Sequence, residues 1–204
     1  MNMNRDFVYI DECVSGIRWD AKYATWDNFI GCPVDGYDVN RIVGTRQLAE
    51  GLRRAQRVAG ELGFGLLLWD GYRPQIAVDC FLRWASSPED GLTKDKHYPN
   101  IEKAEIVEQG YVARRSGHSR GGTIDLTLFS LETGMLVDMG GRFDYMDVSS
   151  HHGAAGIIAA ESRNRDDLRL IMERSGFLPY ELEWWHYTLL DEPYPDTYFD
   201  FRIA

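Results

Sequence analysis

Residues 116–130 read Ser116-Gly117-His118-Ser119-Arg120-Gly121-Gly122-Thr123-Ile124-Asp125-Leu126-Thr127-Leu128-Phe129-Ser130, a glycine-rich turn that runs directly into an alternating strand. Ile124, Leu126 and Leu128 alternate with polar residues, so we expect this apolar set to face the core. Asp125 then lies on the opposite face, where we expect a cleft. The glycines let the backbone fold tightly enough to bring His118 back toward Asp125. This stretch therefore predicts a histidine and an aspartate close together beside a cleft.

Length and composition favour one folded domain. The chain has 204 residues, 44% of them hydrophobic and 13% aromatic, which suits a single domain over residues 1–204 with a substantial core. The formal net charge of -10 argues against nucleic acid or an anionic membrane as a partner. No apolar run approaches the length of a transmembrane helix. We therefore expect a protein that acts on a small molecule.

The first residues and the cysteines favour a cytoplasmic protein. Residues 1–6 contain neither an apolar segment nor a small-residue cleavage site, so we expect no signal peptide. The three cysteines are odd in number and form no CxxC pair, which is typical of free buried thiols in a reducing cytosol (Cys13, Cys32 and Cys80). The sequence allows a homodimer but leaves the oligomeric state open.

Helical and alternating patterns together predict an α+β fold, with a central antiparallel sheet flanked by helices. We expect helices over residues 46–62, 75–84, 101–109 and 164–175. Strands are expected over residues 7–12, 65–70, 123–130 and 180–189, with 135–138 as a hairpin partner of 123–130. The segments 15–45 and 140–160 are predicted to be irregular, and long irregular segments are often functional.

A second histidine lies near the C-terminus, in Glu183-Trp184-Trp185-His186. His118, Asp125 and His186 together supply three protein ligands, which leaves the fourth position of a zinc ion for water. Three ligands are typical of a catalytic rather than a structural zinc site, so we predict one Zn²⁺ per chain. Taken singly, His186 could be a core histidine and Asp125 an ordinary polar residue of a strand.

Glu183 is the candidate general base. A catalytic zinc needs a carboxylate that is not a ligand, because such a group takes a proton from the bound water and passes it to the leaving amine. In a regular strand, Glu183 and His186 would point to opposite faces. We therefore expect a bulge between them, or Glu183 in the loop just before the strand.

Arg73 follows a predicted buried strand in the rigid turn Gly71-Tyr72-Arg73-Pro74. A guanidinium at this position could stabilise the oxyanion of a tetrahedral intermediate. The alternative is a surface arginine that pairs with Asp70. The remaining histidines are expected in supporting or capping roles rather than as ligands (His97, His151 and His152).

Four segments carry a resemblance to a known family: SGHSRGGTIDLTL (116–128), EWWHY (183–187), LLLWDGYRP (66–74) and WDAKYATWDNF (19–29). Together they resemble the VanX-type D-alanyl-D-alanine dipeptidases, zinc enzymes of the wider D-Ala-D-Ala peptidase group. The similarity extends from Phe7 to Phe201. The pattern SxHxxGxxxD with a downstream ExxH is specific to the wider group, and the segment 19–29 narrows it to the dipeptidases.

The resemblance implies a role for each candidate residue. It implies that the two histidines and the aspartate bind zinc, that Glu183 is the general base and that Arg73 stabilises the transition state. It also implies a substrate-binding set, with Ser116 near the substrate, Asp144 for the substrate ammonium, and Tyr23 and Tyr37 closing the pocket. The wider group often has alanine at the position of Thr123, a change that could narrow the site.

The implied activity is hydrolysis of the D-Ala-D-Ala dipeptide to two D-alanines in the cytoplasm. Glycopeptide resistance and recycling of D-alanine are both compatible with it. Three alternatives stay open: a D,D-carboxypeptidase that acts on longer peptidoglycan precursors, a zinc-binding module without turnover, and a zinc-free binding protein with structural histidines.

Overall fold

A five-stranded sheet lies at the centre of the structure, a computed structural model that describes residues 3–204. The strands of the chain are β1 (Phe7–Tyr9), β2 (Arg18–Trp19), β3 (Val43–Thr45), β4 (Phe64–Asp70), β5 (Thr123–Ser130), β6 (Phe177–Tyr180) and β7 (Glu183–Leu189). The central sheet has the order β2-β4-β5-β7-β6, and β1 pairs with β3 in a small antiparallel sheet. The expectation that there is no signal peptide concerned residues 1–6, of which residues 1 and 2 lie outside the described residues.

Neighbouring strands of the central sheet are antiparallel except for the two-residue β2, which runs parallel to β4. The helices are α1 (Ile10–Cys13), α2 (Arg46–Glu61), α3 (Gln75–Ala85), α4 (Lys94–His97) and α5 (Ala159–Arg174). Both long helices pack against the sheet, α2 on β4 and α5 on β6. The predicted α+β fold with a largely antiparallel sheet and flanking helices is confirmed.

The amphipathic spacing of α2 fixes its position on the sheet. Leu48, Leu52, Ala55 and Ala59 are fully buried, as the spacing of three and four predicts. Burial of each leucine side chain contributes roughly 2 kcal/mol to stability. The Thr45 hydroxyl caps the helix by accepting a hydrogen bond from the backbone N–H of Leu48, at 3.2 Å. The helix begins at Arg46 as predicted and ends at Glu61, one residue before the predicted end.

Several predicted elements differ from the structure for identifiable reasons. The strand expected over 7–12 ends at Tyr9, because α1 begins at the next residue, Ile10. The helix expected over 101–109 is reduced to a 3₁₀ turn at Lys103–Glu105. The irregular segment 15–45 contains β2 and β3, which are too short to show alternation. Helix α5 begins at Ala159 instead of 164, because its exposed first turn has no apolar periodicity.

The strand expected over 180–189 is in fact part of a hairpin. Strands β6 and β7 are joined by a two-residue turn at Glu181 and Leu182, which lacks the glycine or asparagine that usually marks such a turn. The predicted pairing of 135–138 with β5 is confirmed by hydrogen bonds from Ser130 N to Met135 O and from Val137 N to Leu128 O, both 2.9 Å.

Within residues 3–204, no helix combines the length and the apolar composition that crossing a bilayer requires. The three cysteines are free, as predicted, but half-buried instead of buried.

The turn before β5 is held against the N-terminal strand by close packing on a glycine. Gly121 has a φ of 78°, and a Cβ built there would lie 2.3 Å from the ring of Phe7. The Phe7 ring also packs edge-on against Tyr72 and Phe201, at centroid distances of 5.1 and 5.0 Å. Any side chain at position 121 must therefore displace part of the aromatic core.

Gly121→Ala should destabilise the fold by more than its backbone conformation alone requires. An L-residue in the left-handed region costs about 1 kcal/mol, and the clash with Phe7 adds to that cost. Gly63→Ala is the matched control, because Gly63 also has a positive φ of 84° but has no heavy atom within 4 Å of the added Cβ. Denaturant unfolding of both variants measures the difference, and equal losses would show that Phe7 does not constrain the turn.

Candidate metal centre and active site

Three side chains meet at one end of the β5–β7 pair. His118 Nε2 lies 3.2 Å from Asp125 Oδ2, and His186 Nδ1 lies 3.1 Å from Asp125 Oδ1. The two histidine nitrogens are 3.3 Å apart. The structure thus brings together the three residues that the sequence singled out as ligands, within 4.8 Å of one another.

The local elements explain why these side chains converge. Asp125 on β5 pairs directly with His186 on β7, so both side chains lie on the same face of the sheet. His118 lies in a 3₁₀ turn (Gly117–Arg120) that the left-handed Gly121 ends, and Ser116 caps this turn by accepting from His118 N at 3.2 Å. The tight turn returns the imidazole to the start of β5.

The donor set fits a tetrahedral metal ion. Zinc with bonds of about 2.0–2.2 Å places its ligand atoms about 3.3–3.6 Å apart, close to the distances found here. His118 Nδ1 lies 2.7 Å from the carbonyl oxygen of Gly71, which can only accept, so Nδ1 carries the hydrogen and Nε2 keeps its lone pair for a metal. Asp125 Oδ1 is buried and has no hydrogen-bond donor, although His186 Nδ1 is near it. A cation between these atoms would satisfy all three.

The charge of Asp125 suits this role. Burial raises the pKa of its carboxyl, but His118 and His186 lower it by more, so that the pKa lies below its usual range. Asp125 is therefore ionised at neutral pH, as a metal ligand must be.

A bulge in β7 brings Glu183 to the same site. Pro179 pairs with Tyr187 and Tyr180 pairs with Glu183, which leaves residues 184–186 without partners on β6. The bulge expected from the sequence is thus confirmed. It turns the Glu183 carboxylate toward His186, with Oε2 3.5 Å from Nδ1. Burial, reinforced by Asp125 and Asp144, raises the pKa of Glu183 to about 8.

Arg73 points into the site and is not a surface residue. Its side chain is only 12% exposed, and its Nη2 lies 2.9 Å from Asp70 Oδ2 and 3.6 Å from Asp125 Oδ2. The pairing with Asp70 that the surface alternative assumed does form, but it holds the guanidinium inside the cleft. Asp70 is a residue whose importance the sequence analysis missed. Its carboxylate also accepts a hydrogen bond of 2.7 Å from the Tyr37 hydroxyl.

A cavity of about 210 Å³ contains most of the candidate residues. Its lining includes the ligand triad, the two polar groups Glu183 and Arg73, and three residues of the implied substrate-binding set, Ser116, Asp144 and Tyr23. The Tyr23 hydroxyl donates to Asp144 Oδ2 at 2.9 Å. Burial, followed by the charge of Asp125, raises the pKa of Asp144 well above its usual value.

Two residues lie elsewhere than expected. Tyr37 does not line the cavity, because its hydroxyl reaches Asp70 behind Arg73. Thr123 does not narrow the site, because its hydroxyl bonds with that of Thr188 at 2.9 Å and it is absent from the cavity lining.

The cavity also has walls that no motif indicated. Tyr111 and Tyr180 line it, and the Tyr111 hydroxyl lies 3.1 Å from His151 Nε2. His97 and His152 lie outside the ligand triad, as expected. These contacts join segments far apart in sequence, so spacing gave no signal for them.

Known proteins of one family are similar to this chain over nearly its whole length. Residues 3–204 match the family model described as D-ala-D-ala dipeptidase, Peptidase M15. A D-alanyl-D-alanine dipeptidase of Enterococcus faecalis is 65% identical over 202 residues, covering 99% of this chain and all of the relative. A D-alanyl-D-alanine dipeptidase of Streptomyces coelicolor is 66% identical over 202 residues, again covering 99% of this chain and all of the relative. One of Escherichia coli is 33% identical over 83% of this chain and 77% of the relative. The chain therefore belongs to the D-ala-D-ala dipeptidase family, Peptidase M15.

Proposed function

We propose that this protein hydrolyses D-alanyl-D-alanine to two D-alanines with one zinc ion per chain. The observation that carries the proposal is the convergence of His118, Asp125 and His186 at 3.1–3.3 Å, with a buried carboxylate beside them in a small cavity. Three relatives that are 62–66% identical over almost the whole chain are named D-alanyl-D-alanine dipeptidases.

The ligand triad would hold the metal, and the remaining residues would handle protons and charge. A zinc ion bound there would supply a water with a pKa of about 7 and polarise the peptide carbonyl. A cation bound beside Glu183 would lower the raised pKa of its carboxyl and favour the ionised form. The carboxylate then takes a proton from the attacking water and delivers it to the nitrogen of the departing D-alanine. Its position, 3.5 Å from a metal-facing nitrogen of His186, suits a base that touches the water without being a ligand.

Arg73 is proposed to donate hydrogen bonds to the carbonyl oxygen as it becomes negative. Its guanidinium is fixed before the substrate arrives, because Asp70 Oδ2 accepts a hydrogen bond of 2.9 Å from Nε and forms an ion pair of 2.9 Å with Nη2, and Tyr37 in turn donates to Asp70. A donor that is already oriented costs little reorganisation when charge develops. Tyr37 would thus act through Asp70 and not as a wall of the pocket.

The opposite end of the cavity is proposed to bind the amino group of the dipeptide. Asp144 and Tyr23 present a hydrogen-bonded pair there, and a substrate ammonium would compensate the buried negative charge of the carboxylate. Ser116 lies in the same cavity and is proposed to contact the substrate.

Cavity size favours the dipeptide over a longer precursor. Pockets for drug-sized ligands usually occupy about 300–1,000 Å³, and this cavity has about 210 Å³. A zinc-binding module without turnover would need neither a general base nor an oriented guanidinium. Glu183 and Arg73 provide these two groups here, so the enzyme is favoured over the module.

We extend the proposal to the cell compartment and the biological role of the reaction. The three free thiols suit the reducing cytoplasm, where we place the reaction. Depletion of the dipeptide would serve either glycopeptide resistance or turnover of cell-wall precursors, and the chemistry of the site is the same for both.

Glu183→Ala should abolish turnover while zinc stays bound. Because one group acts first as base and then as acid, its loss should reduce kcat by more than the roughly 10²–10⁴-fold assigned to a single acid–base step. Glu181→Ala is the matched control, since Glu181 lies two residues away on the surface, with a side chain that is 70% exposed. Activity and metal content are measured on the same preparations. Near wild-type turnover in zinc-loaded Glu183→Ala would reject the proposed base.

A substrate panel separates dipeptidase from carboxypeptidase activity. We expect rapid hydrolysis of D-Ala-D-Ala, with L-Ala-L-Ala, D-Ala-D-lactate and a peptidoglycan pentapeptide cleaved at least about 100-fold less efficiently, a difference of about 2.7 kcal/mol. Release of D-alanine is measured for each compound, together with metal content. Comparable activity on the pentapeptide would favour the carboxypeptidase instead.

A further inference from the structure

Asp144 has an unusual backbone conformation. Among residues 3–204 it is the one residue other than glycine with a positive φ, at 54°. Aspartate tolerates the left-handed region better than most residues, but the conformation is still disfavoured. Such strain persists only where the surrounding structure imposes it, and it is concentrated at functional sites. The contacts that hold Asp144 therefore indicate what its conformation is for.

His97 holds Asp144 from a segment 47 residues away. The Nδ1 of His97 lies 3.0 Å from the carbonyl oxygen of Asp144, and the backbone N–H of Met146 donates to the carbonyl oxygen of His97 at 2.7 Å. Because a carbonyl oxygen can only accept, Nδ1 must carry a hydrogen. Both bonds are made by backbone atoms that follow the Asp144 Cα, and together they tie the backbone of residues 144–146 to His97.

The other ring nitrogen of His97, Nε2, contributes no hydrogen bond of its own, so the bond from Nδ1 is the polar contact of this side chain. His97 is 3% exposed, and its Nε2 is buried without a hydrogen-bond partner. Burial lowers the pKa of His97 to about 4, so the ring is neutral near pH 7. A buried nitrogen without a partner is a cost that an apolar side chain would not have. What the imidazole adds at this position is therefore the Nδ1–H bond to Asp144.

We propose that His97 is a positioning residue for the amino-end subsite. It holds Asp144 in the left-handed conformation, so that the carboxylate faces the cavity beside the Tyr23 hydroxyl. This inference rests on the proposed role of Asp144 as the acceptor of the substrate ammonium. His97 lies outside the group His118, Asp125 and His186 and outside the lining of the cavity, and the proposal assigns to it control over the preference for a free amino group.

The expected signature lies in substrate binding. Without the N–H of His97, Asp144 can relax to a negative φ, and its carboxylate turns away from the amino group. The ammonium contact is made equally in the ground state and the transition state, so its weakening should raise KM and leave kcat nearly unchanged. A general loss of structure would instead lower the turnover of all substrates alike.

The test compares His97→Leu with His97→Asn. Leucine removes the donor, and we expect KM for D-Ala-D-Ala to rise about tenfold, the scale of one lost hydrogen bond in a buried site. Asparagine places an amide N–H near the position of Nδ1 and should restore most of the affinity. Propionyl-D-alanine, which lacks the amino group, should be cleaved equally well by wild type and both variants. Metal content and thermal unfolding are measured on the same samples.

Asp144→Asn in the same assay separates a failure of the role proposed for Asp144 from a failure of the role proposed for His97. If Asp144→Asn loses the preference for the free amine and His97→Leu keeps it, His97 does not position the subsite and the inference is wrong. If Asp144→Asn keeps the preference, the proposed role of Asp144 fails, and the inference fails with it. Should His97→Leu not fold, His97→Gln, which moves the N–H toward the position of Nε2, takes its place with the same expected rise in KM.

Discussion

The antiparallel register of β5 and β7 is the constraint on which the site depends. It sets Asp125 opposite His186, and the glycine-rich turn before β5 adds His118 from the same side. A slip of one residue would move the aspartate to the helix-covered face of the sheet and separate it from the turn. The bulge in β7 depends on the same pairing. It begins after Glu183, where the register with β6 shifts, and ends at His186, which pairs with Asp125 on β5. The geometry of the proposed ligands and the position of the proposed base thus follow from one strand pairing.

The charges that line the cavity favour the binding of cations from outside the chain. Among the described residues that line the cavity, Asp125, Asp144 and Glu183 carry carboxylates, whereas Arg73 is the one lysine or arginine. Burial and mutual repulsion raise the pKa of Asp144 and of Glu183. A divalent ion at one end and a substrate ammonium at the other would restore the balance. The same excess of carboxyl groups, which is costly to bury in the ionised form, would therefore favour the proposed ligands.

Sequence reasoning succeeded where local pattern and local chemistry agreed. The spacing in α2, the alternation in β5 and the ligand motifs are short-range features, and even the bulge was predictable from the conflict between strand periodicity and the positions of Glu183 and His186. It failed where a contact joins distant segments. Nothing in the spacing indicated that Tyr37 would reach Asp70 or that His97 would hold Asp144. The turn at 181–182 was missed because it lacks the residues that usually mark a hairpin.

The most direct test of the account is the location of the metal. Crystals of the zinc-loaded protein, with anomalous data collected on both sides of the zinc absorption edge, show where the ion lies. We predict a single strong peak about 2.0–2.2 Å from His118 Nε2, from a carboxylate oxygen of Asp125 and from His186 Nδ1. A peak bound by other residues, or these three side chains in place with no ion between them at saturating zinc, would contradict the proposed metal centre and the hydrolysis built on it.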